Sequence, residues 1–146
     1  MRLKIKKLDD RAKIPFRATD GSAGMDLYCI LDEPVTMQPH TNYSFQTGIA
    51  IELPSNEYAA FVFARSGLAT KHGIAPTNCV GVIDSDYRGE IKVNLINQTD
   101  VPFTINDGER IAQLIVMPVA VPEIEECSEL SDTERGDGGF GSTGKK

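Results

Sequence analysis

Between Tyr43 and Leu53 the chain alternates. Tyr43, Phe45, Thr47, Ile49, Ile51 and Leu53 occupy every second position, and Pro54-Ser55-Asn56 ends the run. In an extended chain these side chains share one face, so the segment reads as a strand followed by a turn. Similar short stretches at 2–8, 23–30, 58–64, 80–84, 90–97, 101–105 and 109–117 predict further strands. The last could pass for a short amphipathic helix, but its β-branched residues and Pro118 favour a strand. With 13 glycines and 8 prolines punctuating 146 residues, long helices are excluded. Many short strands joined by turns imply a β-sandwich, barrel or jelly roll. One short helix is predicted at Ser66–His72, with Ser66 as its cap and Gly73 as its terminator.

The alternation stops after Pro122. Glu123, Glu125, Glu126, Glu129, Asp132 and Glu134 follow with no basic residue between them, and they account for the whole net charge of −6. The remainder is formally neutral, which argues against a non-specific nucleic-acid partner, since that needs a basic face. The first seventeen residues carry seven basic and two acidic side chains, but Leu3, Ile5 and Leu8 interrupt them as in a solvated strand. No run of eighteen apolar residues exists to form a membrane-spanning helix. Residues 1–122 therefore read as one β domain, and 123–146 as an acidic tether and Gly-rich tail that orders on a ligand or a neighbouring surface. A tether of twelve residues spans about 20 Å as a flexible chain and about 40 Å extended, enough to reach another subunit. Cys29, Cys79 and Cys127 are odd in number and lack CxxC spacing, as expected of reduced thiols in a reducing, cytoplasmic compartment. His40 and His72 have no Cys/His cluster around them, so a zinc site has little support.

Five segments could carry chemistry. Arg135-Gly136-Asp137-Gly138-Gly139-Phe140-Gly141-Ser142-Thr143 combines glycines, whose backbone N–H groups can close on phosphate oxygens, with a guanidinium and two hydroxyls. It also matches parts of the dinucleotide and Walker A patterns, but the strand and helix those patterns need are missing. In Gly81-Val82-Ile83-Asp84-Ser85-Asp86-Tyr87-Arg88-Gly89-Glu90, extended geometry would put Asp84 and Asp86 on one side, where a carboxylate could orient water; the same residues also suit a plain hairpin turn. Arg65-Ser66-Gly67 stands where a strand ends and a helix opens, a place suited to an anion and equally to simple capping. Arg110 and Gln113 sit in a buried-looking strand, where Gln needs partners. Asp26 is an acid inside the apolar Ala23-Gly24-Met25-Asp26-Leu27, which exposure at a strand edge would also explain.

Taken in order, AGMDL (23–27), RSGLA (65–69), GVIDSDYRGE (81–90), GERIAQLI (108–115) and RGDGGFGST (135–143) resemble the five motifs of the trimeric deoxyuridine triphosphatase (dUTPase) family. The resemblance runs over most of the chain and departs from the usual pattern at Ala64, where a proline is frequent, and at Met25, where an aromatic is common. It implies an all-β, jelly-roll-like (β-clip) barrel with one short helix and a flexible Gly-rich tail. It also implies a homotrimer with sites shared between subunits, no nucleic-acid or membrane partner, and Mg²⁺-dependent hydrolysis of dUTP to dUMP and pyrophosphate. Carried over motif by motif, Asp84 is the expected general base for water attacking the α-phosphorus. Tyr87 would pack under the deoxyribose, and Asn78 with the main chain of 79–83 would read uracil. Arg65, Ser66, Gly67 and Gln113 would hold phosphates, and Asp26 would meet the metal through water. Phe140 would close over the base, while Arg135, Ser142 and Thr143, with Gly141 between, would grip the γ-phosphate. A nucleotide deaminase of the same fold and a noncatalytic nucleotide sensor are the alternatives. The first would release ammonia from dCTP and, if zinc-dependent, would need a His-x-Glu and Pro-Cys-x-x-Cys signature absent here; the second would need neither a base nor a lid.

Overall fold

The structure, a computed structural model, describes residues 1–139. In chain order its elements are β1 (Lys4–Lys7), β2 (Met25–Tyr28), β3 (Val35–Met37), β4 (Asn42–Gln46), β5 (Ile49–Glu52), β6 (Tyr58–Phe63), α1 (Ser66–His72), β7 (Ile74–Pro76), β8 (Gly81–Ile83), β9 (Lys92–Asn97), β10 (Phe103–Ile105) and β11 (Arg110–Pro118). The larger sheets run β2-β11-β6-β8 and β4-β9-β7, and β1-β5 and β3-β10 form two-stranded ribbons. Every pairing is antiparallel. The expected all-β architecture with one short helix is therefore present among the described residues.

The core lies where the inward faces meet. Leu27, Met37, Phe45, Leu95, Ile105 and Leu114 are wholly buried. Asn97 is buried with them, and its amide is fully used: Nδ2 donates to the Met37 and Val101 carbonyls at 3.1 and 2.8 Å. Its Oδ1 accepts from the Thr99 N–H and hydroxyl at 3.0 and 2.8 Å. A buried amide satisfied on both ends fixes the 97–101 turn instead of weakening the core.

Two expectations need correction, and one open choice is decided. The run from Tyr43 to Leu53 is two strands, because Gly48 has φ 66° and turns the chain from β4, which pairs with β9, to β5, which pairs with β1. A side chain at Gly48 would run into Ile30 Cδ1 and sit 3.0 Å from Ala12 Cβ, so the corner has neither the room nor the backbone geometry for another residue. The helix is capped by Arg65 in extended geometry (φ −85°, ψ 130°) with no side-chain cap, and Ser66 is its first helical residue; Gly73 at φ 63° ends it as expected. Of the two readings open for Gly81 through Glu90, the turn is the one found: Asp84 lies past the end of β8 where the chain turns, so Asp84 and Asp86 do not share one side of a strand.

Burial also sets cysteine chemistry. Cys29 is 1% exposed, and desolvation pushes its thiol pKa up, leaving it protonated at neutral pH; Cys79 and Cys127 are exposed. A maleimide is expected to label Cys29 only after unfolding, as read by peptide mapping. Native labelling of Cys29 at the rate of a free thiol would contradict this packing.

Candidate functional site

The residues singled out from the sequence within the β domain fall into two separate pockets of one chain. The first holds about 270 Å³ and is lined by Asn78, Gly81, Val82, Ile83, Asp84, Tyr87, Glu90 and neighbouring parts of β6 and β9. It is built by the turn that carries the chain from β7 in one sheet to β8 in the other. Cys79 at φ 62° makes the turn, and its N–H donates to the Pro76 carbonyl at 3.1 Å, so the strip 79–83 leaves the turn directly into β8. The loop after β8 is closed by its own bonds. Tyr87 N–H donates to the Asp84 carbonyl at 3.2 Å, and Arg88 Nη1 to the Ser85 and Tyr87 carbonyls at 2.8 and 3.0 Å. Glu90 Oε1 accepts from the Gly48 N–H at 2.9 Å, tying this loop to the β4–β5 corner. Asp84 is exposed at the pocket wall. A carboxylate presented to solvent on a braced turn can hold and deprotonate a water.

The second pocket, about 390 Å³, is lined by Gly24, Asp26, Arg65, Ser66, Gly67, Arg110 and Gln113 with Ala18, Ser22, Ala23 and Ile115. Asp26 is its electrostatic centre. Its Oδ1 accepts from Arg65 Nε at 2.8 Å and its Oδ2 from Arg110 Nη1 at 3.1 Å, with the Asp26 side chain only 13% exposed. Arg65 Nη1 also reaches the Arg110 carbonyl at 3.3 Å, and Gln113 Nε2 donates to the Ala64 carbonyl at 2.8 Å. Two guanidiniums on one carboxylate leave a net positive pocket beside exposed Ser66 and Gly67. Such a pocket attracts phosphate oxygens.

On a regular strand, residues three apart such as Arg110 and Gln113 face opposite ways. In the structure β11 opposes Arg110 to Tyr28, Ala112 to Leu27 and Gln113 to Asp26, a register shift that absorbs one residue. The bulge buries both Ile111 and Ala112 and turns Arg110 and Gln113 toward the same pocket. No periodicity reveals this; the polar Arg and Gln inside an apolar run are the only signal. Glu90, the last residue of the 81–90 segment, lines the first pocket, a role that nothing in the sequence assigns to it.

Asp26, Arg65, Ser66, Gly67 and Gln113 thus gather in one pocket and Asn78, Asp84 and Tyr87 in the other, and the two linings have no residue in common. Arg135 lies in neither. Its Nε donates to the Gly138 carbonyl at 2.8 Å within a turn at the end of an exposed stretch. Phe140, Gly141, Ser142 and Thr143 lie outside the described residues.

The dUTPase family model matches residues 10–144. A protein of Desulfitobacterium hafniense (strain DSM 10664 / DCB-2), named deoxyuridine 5'-triphosphate nucleotidohydrolase, is 54% identical over 93% of this chain and 90% of its own. One of the same name from Hydrogenobaculum sp. (strain Y04AAS1) is 52% identical over the whole of both chains. Among solved structures, the dUTPase of Staphylococcus bacteriophage 80alpha, a G164S mutant with dUpNHpp, superposes with a TM-score of 0.88 at 28% identity over 98% of each chain. The chain is thus a hydrolase built on a jelly-roll-like β fold. It belongs to the dUTPase family.

Proposed function

We propose that this protein hydrolyses dUTP to dUMP and pyrophosphate, in a homotrimer whose sites each combine the two pockets from different protomers. The observation that carries this reading is the division of the site: the carboxylate and the 77–80 turn stand in one pocket and the guanidiniums in another. A nucleoside triphosphate needs both at once. Apposing the first pocket of one subunit to the second of its neighbour supplies them, and the relatives' names give the substrate.

Two surface features favour assembly. On the outward face of the β2-β11-β6-β8 sheet, cross-strand neighbours Val82, Phe61 and Ile115 form an apolar row, with Val82 61% exposed. On the tether, Ile124 and Leu130 are 94% and 87% exposed amid the acidic residues. Burying each against a neighbour would contribute about 1.5–3 kcal/mol. The domain division follows from this reading, with 1–122 as the catalytic body and 123–146 as a tether and tail that serve a site on another subunit.

In the assembled site Arg65, Ser66, Gly67 and Gln113 bind the phosphates. Asn78 and the main chain of 79–83 take the uracil edge, and Tyr87 forms the floor under the sugar. Asp84 accepts the proton of the water that attacks the α-phosphorus, and pyrophosphate leaves. The tail lays Phe140 on the base and brings Arg135, Gly141, Ser142 and Thr143 to the γ-phosphate, excluding bulk water.

Among the described residues no group of three or more His, Cys, Asp or Glu side chains could hold a metal. The donor set fits Mg²⁺ that arrives on the substrate's phosphates: a single carboxylate, Asp26, faces the phosphate pocket, and its remaining lone pairs can accept from metal-bound water. When bound, the ion would neutralise charge building on the triphosphate. The three cysteines are free, in keeping with a reducing, cytoplasmic setting.

Incubation with dUTP and Mg²⁺ in ¹⁸O-water tests the reaction. Label is expected in the phosphate of dUMP and none in pyrophosphate. Label in pyrophosphate would move the attack to the β-phosphorus, and ammonia release from dCTP without dUTP turnover would replace the reading with a deaminase.

A further inference from the structure

Tyr87 is 46% exposed, so packing alone does not fix its ring. Two features do. Its hydroxyl donates to the Glu90 carbonyl at 3.0 Å, three residues ahead on the same loop. The hydroxyl end of the ring lies against Gly89, where a Cβ would meet the hydroxyl oxygen and come within 2.5 Å of Cζ and 3.0 Å of Cε2. Real Cβ atoms do not approach that closely, so the ring occupies space that any other residue at 89 would fill.

We propose that Gly89 is a specificity-positioning residue: its bare α-carbon lets the hydroxyl end of the Tyr87 ring dock against the loop, in the position that admits a deoxyribose and rejects a ribose. This rests on the reading of Tyr87 as the floor beneath the sugar. Gly89 touches no substrate and acts through Tyr87. A methyl group at 89 would force one of two neighbours to move. The main chain of the loop is pinned by Arg88 on the Ser85 and Tyr87 carbonyls and by Glu90 on the Gly48 N–H. The exposed ring is free to move, so it swings away from the chain, breaks its hydrogen bond to Glu90 and leaves the floor open. The space so vacated takes a 2′-hydroxyl.

The test compares kcat/KM for dUTP and UTP in Gly89→Ala, Tyr87→Ala and the double variant. Tyr87→Ala is expected to lower the preference for dUTP about tenfold to a hundredfold, the discrimination a shaped pocket gives to one small group. Gly89→Ala is expected to lower it comparably, with kcat/KM for UTP rising while that for dUTP falls; mere damage to the loop would lower both. In the Tyr87→Ala background, Gly89→Ala is expected to leave the ratio unchanged, since no ring remains to displace. A ratio unchanged in Gly89→Ala, or lowered equally with and without the ring, overturns the proposal. Should Gly89→Ala fail to fold, the double variant carries the test: with no ring to displace it is expected to fold and to keep the Tyr87→Ala ratio, and a double variant as unfolded as Gly89→Ala overturns the proposal. If Tyr87→Ala itself leaves the ratio unchanged, the floor reading of Tyr87 is what fails.

Discussion

Replacement of Asp84 by Asn is expected to leave dUTP bound and to slow its hydrolysis by about 10²–10⁴, the usual contribution of a positioned general base. Asn keeps the shape and a carbonyl oxygen that can still orient water, but it cannot accept the proton. The local structure predicts that the substitution is otherwise quiet. Asp84 is exposed, and the bonds that hold its loop run from its main-chain carbonyl, from Arg88 and from Glu90, none of which uses the Asp84 carboxylate. Isothermal titration with a nonhydrolysable dUTP analogue, beside single-turnover kinetics, separates the two effects. Parallel loss of affinity and rate would give Asp84 a structural role.

Removal of residues 135–146 is expected to leave a folded, trimeric protein that has lost most of its activity. The excised segment contains one large apolar side chain, Phe140, and no strand or buried residue of the described body. The tether, with its exposed Ile124 and Leu130, is retained. What is lost is the closure that pairs Arg135, Ser142 and Thr143 with the γ-phosphate and shields the site from water. Because dUMP lacks that phosphate, the dUTP analogue should protect the tail from protease and dUMP should protect it little. Unchanged kcat and KM after truncation, or equal protection by both ligands, would remove the tail from the mechanism.

Much of the site was legible in the sequence because its parts are local. Arg65-Ser66-Gly67 is read from a strand meeting a helix, and Gly81 through Glu90 from a short strand and the turn after it, each within ten residues. The fold class was legible from alternation. What escaped depends on contacts across the chain. Gly48 breaks an otherwise perfect alternation because Ile30 and Ala12 leave no room for a side chain there, and neither is near it in sequence. β3 and β7 have three residues each and escaped, whereas the equally short β8 and β10 lie within the stretches at 80–84 and 101–105 that read as strands. Asp26 could be seen as an acid in an apolar strand, but its two guanidinium partners come from positions 39 and 84 residues away. The β11 bulge, which brings Arg110 and Gln113 to one pocket, exists only in the pairing with β2.

The sharing of each site between subunits can be measured directly by mixing two inactive variants. Asp84→Asn lacks the base of the first pocket and Arg65→Ala the clamp of the second; the two are denatured together in equal amounts and refolded. If pockets of different protomers form each site, random assembly gives about one site in four with both halves intact, and activity returns to about a quarter of wild type. If each chain carries a complete site, no mixture contains an intact one, and activity stays at the level of the separate variants.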